Sequence, residues 1–246
     1  MIENAQLISL SRQIALRRQM DVVANNMANI NTTGFKGEQI LFEEYMMPGA
    51  SHRDFMRPDQ PLSYVQDWAT RHDLAAGAIT QTGSELDVAL MGEGFLAVET
   101  PAGERWTRAG SLQVDAAGRL VDTSGNPILG EGGPIVFQPE ETGIVIAEDG
   151  TVSTSEGLKG RLRIVEFDNP QQLTREGSNL FAGGTPVEAQ NTRVIQGAVE
   201  RSNVSGVTGM AQMIRVQRAY ESLVKLMGDQ DDLRRAAIQR LGDANA

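Results

Sequence analysis

Residues 5–30 contain no Gly or Pro, and apolar residues fall at Leu7, Leu10 and Ile14, then at Leu16, Met20, Val23, Met27 and Ile30 in alternating steps of four and three. That spacing predicts an amphipathic helix with a coiled-coil-like stripe, whose phase shifts between Ile14 and Leu16. Asn29, Asn31, Thr32, Thr33 and Gly34 follow with turn and cap chemistry, and Asn31 and Gly34 are read as the residues that stop the helix. The far end repeats the theme with Met213, Val216, Tyr220, Leu223, Met227, Gln230, Arg234, Ala237 and Leu241. Gly206 and Gly209 mark its beginning and Gly242 its end, which predicts a helix over 210–241, roughly 45 to 50 Å long at about 1.5 Å per residue. Two such stripes suit antiparallel pairing, with each other or with neighbouring copies.

Between the ends the period changes. Segments 86–90, 95–98, 105–107, 112–114, 119–121, 135–137, 144–146, 151–153 and 161–167 are short and strand-like, punctuated by Gly, Asn, Asp and Pro. Ala117-Gly118, Ser124-Gly125-Asn126 and Asp149-Gly150 read as tight turns, because Gly accepts positive φ at little steric cost. Residues 85–200 are therefore expected to form an all-β domain. Residues 47–76, with Pro48, Pro58 and Pro61, keep no sustained period. The resulting expectation is an α+β chain: a helical, coiled-coil-like domain built from both termini (1–34 and 201–246), an irregular connector (35–84) and a central all-β domain (85–200).

Charge separates the same parts. Residues 85–200 carry 8 basic and 18 acidic side chains, which accounts for the whole net charge of -10. A general nucleic-acid binder needs the opposite balance to neutralise phosphates, so nucleic acid is not an expected partner. The 246 residues are 40% hydrophobic and 22% charged, ordinary values for a folded protein. No apolar run approaches the roughly 20 residues of a membrane span, and no membrane span or cleavable signal is expected. The absence of cysteine removes disulfides, thiolate metal sites and a cysteine nucleophile, and two histidines, His52 and His72, leave little for an imidazole site.

Candidate chemistry is correspondingly thin. Gly92-Glu93-Gly94 and Gly130-Glu131-Gly132-Gly133 lack the Lys-Ser/Thr ending of a phosphate loop and read as hairpin turns. Asp87, Glu93, Asp115, Glu148 and Asp149 have no spacing that places two carboxylates across a sugar. Asn31-Thr32-Thr33 and Asn203-Val204-Ser205 match glycosylation sequons only formally. No catalytic, cofactor or metal residues are expected. Asn is a poor residue for a helix interior, so Asn25 and Asn26, with Asn29, are read as hydrogen-bonding groups between helices or subunits.

Three stretches carry a resemblance. Met20-Asp21-Val22-Val23-Ala24-Asn25-Asn26-Met27-Ala28-Asn29-Ile30-Asn31-Thr32-Thr33-Gly34-Phe35-Lys36 resembles the N-terminal signature of the bacterial flagellar rod and hook axial proteins. Trp106-Thr107-Arg108-Ala109-Gly110-Ser111-Leu112, then Asp115, Gly118-Arg119-Leu120-Val121, Gly125 and Pro127-Ile128-Leu129-Gly130, is similar to that family's central β-domain signature. Residues 197–204, leading into Gln217-Arg218-Ala219-Tyr220-Glu221, resemble its C-terminal signature. The resemblance implies a non-enzymatic subunit of a helical tube, most like a proximal-rod subunit, with a distal-rod subunit the near competitor. It implies like subunits and neighbouring rod proteins as partners, and delivery by the flagellar type III export apparatus to the periplasmic basal body. A periplasmic glycan-binding β-domain is the rival from another class. The residues expected to carry assembly are Leu16, Met20, Val23, Asn25, Asn26, Met27, Asn29 and Ile30 from one end, and Met213, Val216, Gln217, Arg218, Tyr220, Glu221, Leu223 and Met227 from the other.

Overall fold

The computed structural model describes the backbone of residues 2–47 and 62–243, and side chains over 8–41 and 70–240. Pro48, His52, Pro58 and Pro61, and the side chains of Leu7 and Leu241, lie outside the described residues. The chain divides into two compact units.

The first unit joins α1 (Ile2–Ala28), a pair of strands (Glu38–Met47 and Leu62–His72) and α2 (Gly206–Asp243). The Gly- and Pro-free run is helical as its spacing predicts, and α1 ends just before Asn29, whose carbonyl accepts Thr32 N–H at 3.2 Å in the following turn. α2 begins earlier than its stripe predicts, because Ser205 caps it: its carbonyl accepts Gly209 N–H at 2.9 Å and its hydroxyl meets Thr208 Oγ1 at 3.1 Å. Gly209 is thus an interior residue of the first turn, where its missing side chain leaves room for Met27 of α1. The 38 residues of α2 span about 57 Å at 1.5 Å per residue. α1 and α2 pack antiparallel, with Met27 beside Gly209 and Gln13 Nε2 donating to Tyr220 Oη at 3.1 Å. Within 38–47 and 62–72, where no period is legible, the two strands pair with each other.

The second unit contains Asn29–Gly37 and His72–Val204. Its centre is a six-stranded antiparallel sheet in the order Thr174–Glu176, Leu180–Ala182, Gly103–Thr107, Phe95–Thr100, Ile164–Glu166, Val187–Glu188. Phe95-Leu96-Ala97-Val98 is apolar at every position because both faces of this strand are covered. Leu96, Val98, Ile164 and Leu180 enter one core with Val88, Leu112, Leu120, Ile128, Val152 and Leu162. Phe95, Ala97, Trp106, Val165 and Phe181 face the other way, with Leu129, Leu173 and Phe167. On that second face Phe95, Trp106, Phe167 and Phe181 meet edge to face at 5.5–5.7 Å, and Trp106 Nε1 donates to Gly183 O at 3.1 Å. His72 is buried against Phe181, with Nε2 2.9 Å from Leu173 O.

Smaller ladders close the unit. Val88–Met91 pairs with Arg193–Gln196, Ile79–Gln81 with Ala198–Glu200, and Val145–Ile146, Thr151–Thr154 and Gly157–Arg161 form a three-stranded sheet. The Gly130–Gly133 stretch is a hairpin turn. Expected strand 135–137 is not a continuous ladder: Val136 makes one isolated bridge to Arg119 while Ile135 and Phe137 are buried on either side of it. The five strands between 174 and 200 have no counterpart among the segments read from sequence, being only two to four residues each.

The turns are built by a recurring device. Asp115 accepts the N–H groups of Ala117 and Arg119 at 2.8 Å, and Asp122 those of Ser124 and Asn126 at 2.8 Å, with Gly118 and Gly125 at positive φ inside each loop. Asp149 likewise accepts Thr151 N–H at 3.0 Å and its hydroxyl at 2.8 Å. Of the carboxylates considered for catalysis, Asp115 and Asp149 are thus holding turns, and Asp87 accepts Ser111 Oγ at 3.1 Å. Arg119 N–H above all, and then its guanidinium and Ala117 N–H, hold the Asp115 carboxyl below its ordinary 3.8. Thr151 does the same for Asp149, and Lys159 holds Glu141 below 4.5. Groups depressed on folding stabilise the fold fully above their unfolded pKa, and that contribution is lost as pH falls through the folded value. Thermal melts should therefore show a Tm that is flat near neutrality and falls below about pH 4.5, and Asp115→Asn should make the fall shallower. An acid limb unchanged in that variant would count against the turn carboxylates as its source.

Candidate functional site

Assembly candidates occupy the helix pair. Val23, Val216 and Leu223 are buried, whereas Leu16, Met20, Met27, Met213, Tyr220 and Met227 are half-buried in the first unit. The predicted stripe is therefore spent largely inside one chain, where α1 and α2 cover each other. Ala15 is buried with them, and Ile14 is 61% exposed, because the phase shift between Ile14 and Leu16 turns the start of the stripe outward. A second row remains open on α2. Val207, Met210, Ile214 and Val224 are exposed, with Gln217 and Glu221 between them in the same three-four register. The sequence reading missed this row, since it lies one residue around the helix from the stripe that dominates the pattern. Gln217 Nε2 donates to Glu221 Oε1 at 3.0 Å along it, and Arg218 is exposed.

The asparagines divide. Asn26, expected to bond between helices or subunits, instead clamps the backbone of Glu38: its Nδ2 donates to the carbonyl at 2.7 Å and its Oδ1 accepts the N–H at 2.9 Å. An amide suits this work because it can satisfy both halves of one strand residue. Asn25 is exposed on α1, Ile30 is half-buried after it, and Asn29 Oδ1 accepts Thr32 Oγ1 at 3.1 Å. Asn31 is exposed in the turn.

The most constrained place in the second unit lies where its Asn29–Gly37 segment docks. Gly34 has φ +64°, its N–H donates to Glu200 O at 2.7 Å, and a Cβ there would be driven into the Arg108 carbonyl. Phe35 is buried beneath the Arg175 guanidinium, 4.2 Å from the ring centroid, and Arg175 also donates to Lys36 O. Asn179 Nδ2 donates to Thr33 O at 3.0 Å, from a hairpin turn in which Ser178 and Asn179 both have positive φ. Asn203 accepts Gly37 N–H at 2.8 Å and donates to Asp73 O at 2.8 Å, so the amide of this sequon is engaged in the fold.

Charge lies beneath that joint. Lys36 Nζ donates to Glu200 Oε1 at 2.7 Å and to Ala75 O at 2.9 Å, with both ionic side chains at most 2% exposed. Arg108 Nε lies 3.2 Å from Glu200 Oε2 as an ion pair, and its terminal nitrogens donate to the carbonyls of Gly92 and Gly94. Gly77 N–H gives Glu200 Oε1 a further bond at 2.8 Å. Burial pushes the Lys36 ammonium below its ordinary 10.5 against the opposing pull of Glu200, and burial pushes Arg108 down in the same way. None of the three was singled out from sequence. No local signal marks them: Lys36 lies two residues from Glu38 and Glu200 stands next to Arg201, so neither reads as an isolated charge in an apolar stretch. Among the described residues no group of three or more His, Asp or Glu is placed to hold a metal ion.

Three family models match this chain: the flagella basal body rod protein model over residues 7–36, the flagellar hook protein FlgE/F/G D1 domain over 89–154, and the flagellar basal body rod FlgEFG protein C-terminal model over 195–240. The flagellar basal-body rod protein FlgF of Caulobacter vibrioides is 36% identical, over 99% of this chain and 100% of the relative. FlgF of Mesorhizobium japonicum is 32% identical over 98% and 99%. The flagellar basal-body rod protein FlgG of Buchnera aphidicola subsp. Acyrthosiphon pisum is 34% identical over 87% and 90%.

Gly34→Ala should cost more than about 3 kcal/mol, since it adds a clash with fixed backbone to the strain of positive φ. Gly83 has φ +76° but open space around it, and Gly83→Ala should cost only about 1 kcal/mol. Denaturant unfolding of the two variants measures the difference, and equal losses would show that the docking of residue 34 is not tight.

Proposed function

This chain belongs to the flagellar basal-body rod protein family, and we propose that it is a structural subunit of the proximal rod, polymerising through its terminal helices into a tube that carries torque across the periplasm. The observation that carries this reading is the end-to-end similarity to rod proteins called FlgF, which leaves no large part of either chain unmatched. It is a structural protein, and its partners are rod subunits. The type III export apparatus delivers it to the periplasm.

The terminal unit is suited to polymerisation by what it leaves uncovered. Each Leu, Ile or Met taken out of water contributes about 1.5–3 kcal/mol before ordering costs, and one copy cannot cover Leu10, Ile14, Val207, Met210, Ile214, Val224, Leu226, Leu233 and Ile238, all of them exposed. Neighbouring copies cover this surface in the rod. The half-buried stripe residues Leu16, Met20, Met27, Met213, Tyr220 and Met227 lie at its margin and complete the contact, with Asn25, Gln217, Arg218 and Glu221 supplying polar register.

Ile214→Asp should leave the purified monomer with wild-type helicity and Tm but abolish rod assembly, whereas Val216→Asp should unpack the helix pair in the monomer itself. Motility of a deletion strain complemented with each variant, with electron microscopy of its basal bodies, reads the outcome. Normal motility with Ile214→Asp would remove the exposed row from the interface, and a complete basal body in the uncomplemented strain would overturn the rod assignment.

A further inference from the structure

The buried ions of the second unit are unequal in how they are held. Arg108 is seated by groups that do not depend on the distant segments: its guanidinium donates to the carbonyls of Gly92 and Gly94, and Thr107 beside it is in ladder with Leu96 and Leu180. Lys36 arrives from a segment with no strand of its own between residues 29 and 37. Its counter-ion, Glu200, is 164 residues further along the chain. Glu200 is carried in by the strand Ala198–Glu200, which pairs with Ile79–Gln81, and by Arg201 N–H on Ala78 O at 2.9 Å.

One carboxylate therefore serves two buried cations. Were the Asn29–Gly37 segment to dock before Glu200 was in place, the Lys36 ammonium would enter a dry site beside the Arg108 guanidinium, with the Ala75 carbonyl as its hydrogen-bond partner and only the weaker pull of Asp73 as negative charge. Removing charges from water costs several kcal/mol per ion unless a counter-charge and hydrogen bonds meet them. The backbone bond from Gly34 N–H to Glu200 O and that from Asn203 N–H to Phe35 O at 3.3 Å also need the late strand and the residues just after it.

We infer that Lys36, Arg108 and Glu200 form a closure latch: the β-sheet core of the second unit folds first with Arg108 seated in it, and docking of residues 29–37 is the last step, conditional on the Glu200 carboxylate. A chain delivered from its N-terminus keeps the segment following α1 undocked until Glu200, 164 residues beyond Lys36, has emerged. The order is a property of this unit's own contacts and goes beyond the rod assignment.

The test uses the full-length chain in a Trp68→Phe background, which leaves buried Trp106 as the single tryptophan reporter of the second unit. Glu200→Gln keeps the shape and removes the charge. An interaction made after the folding transition state shows itself in unfolding, so the unfolding rate should rise at least about 10-fold while the refolding rate stays within about twofold. Native-state hydrogen exchange should then show protection lost at Gly34, Phe35 and Gly37 while Ala97, bonded to Arg163 O at 3.1 Å in the central sheet, keeps its own. If Glu200→Gln does not fold, Lys36→Met, which retains the Arg108–Glu200 pair, is read by the same two criteria. Refolding slowed by as much as the equilibrium loss, or wild-type protection at residues 34–37, overturns the latch.

Discussion

A single carboxylate, Glu200, holds two cations out of water in the β-rich unit, and the path of the chain follows from that. Lys36, Arg108 and Glu200 come from three separated stretches, each with little freedom to move: Gly34 is pressed against the Arg108 backbone, Gly77 donates to the Glu200 carboxylate, and Phe35 is covered by Arg175. A buried ion pair is a poor source of net stability compared with a hydrophobic replacement of the same shape, but it is costly to break once built. Its contribution here is therefore better understood as selection among arrangements. The segment 29–37 can be accommodated in the register that brings Lys36 to Glu200, and a shift of one residue would present Phe35 to a charged site and Lys36 to an apolar one.

The two units solve their burial problem differently. In the second, a strand apolar at four successive positions is covered on both faces, and Phe95, Trp106, Phe167 and Phe181 gather on one of them. In the first, a two-helix pair has only a seam to bury, so Val23, Val216 and Leu223 are enclosed while apolar side chains remain in water along α2. A pair of helices cannot enclose two stripes at once: residues at 213, 216, 220, 223 and 227 share one face, and those at 207, 210, 214 and 224 lie about 100° around the axis. Surface of that kind is stable in a monomer only as long as it stays dispersed, and it becomes an asset where copies stack.

Legibility in the sequence tracks the range of the forces involved. Both helices were readable because a 3.6-residue period is a local property that survives the phase shift in α1, and their ends fall within a few residues of the expected ones, the start of α2 being moved earlier by the Ser205 cap. Most strands of 85–167 were readable from alternation and Gly-Asp punctuation, since Asp115, Asp122 and Asp149 build their turns from neighbouring residues. Strands of two to four residues between 174 and 200 carry too few positions for any period to register, and each is defined by the partner strand that pairs with it. The Glu38–Met47 and Leu62–His72 pair escaped for a related reason, being defined by each other rather than by an internal pattern.

Among the candidate residues the same rule applies. Val23, Val216 and Leu223, expected from spacing to carry assembly, are buried within one chain, because spacing registers that a face is covered and not which chain covers it. Asn26 was rightly suspected as an anomalous polar group in a helix, but its partner, the backbone of Glu38, could not be named because it depends on where the chain turns after α1. Lys36, Arg108 and Glu200 were missed although two of them stand inside quoted signature stretches and the third within the last. Their pairing needs contacts across 164 residues, and no local rule distinguishes a lysine that will be buried from one that will be solvated. The three stretches that resemble the family's signatures thus have a physical connection that their separation in sequence conceals: within the β-rich unit the end of the first, Arg108 of the second and the start of the third touch one another. At Gly34, Lys36, Arg108 and Glu200 these stretches encode a joint within the β-rich unit, and substitutions at those four positions act first on how that unit closes.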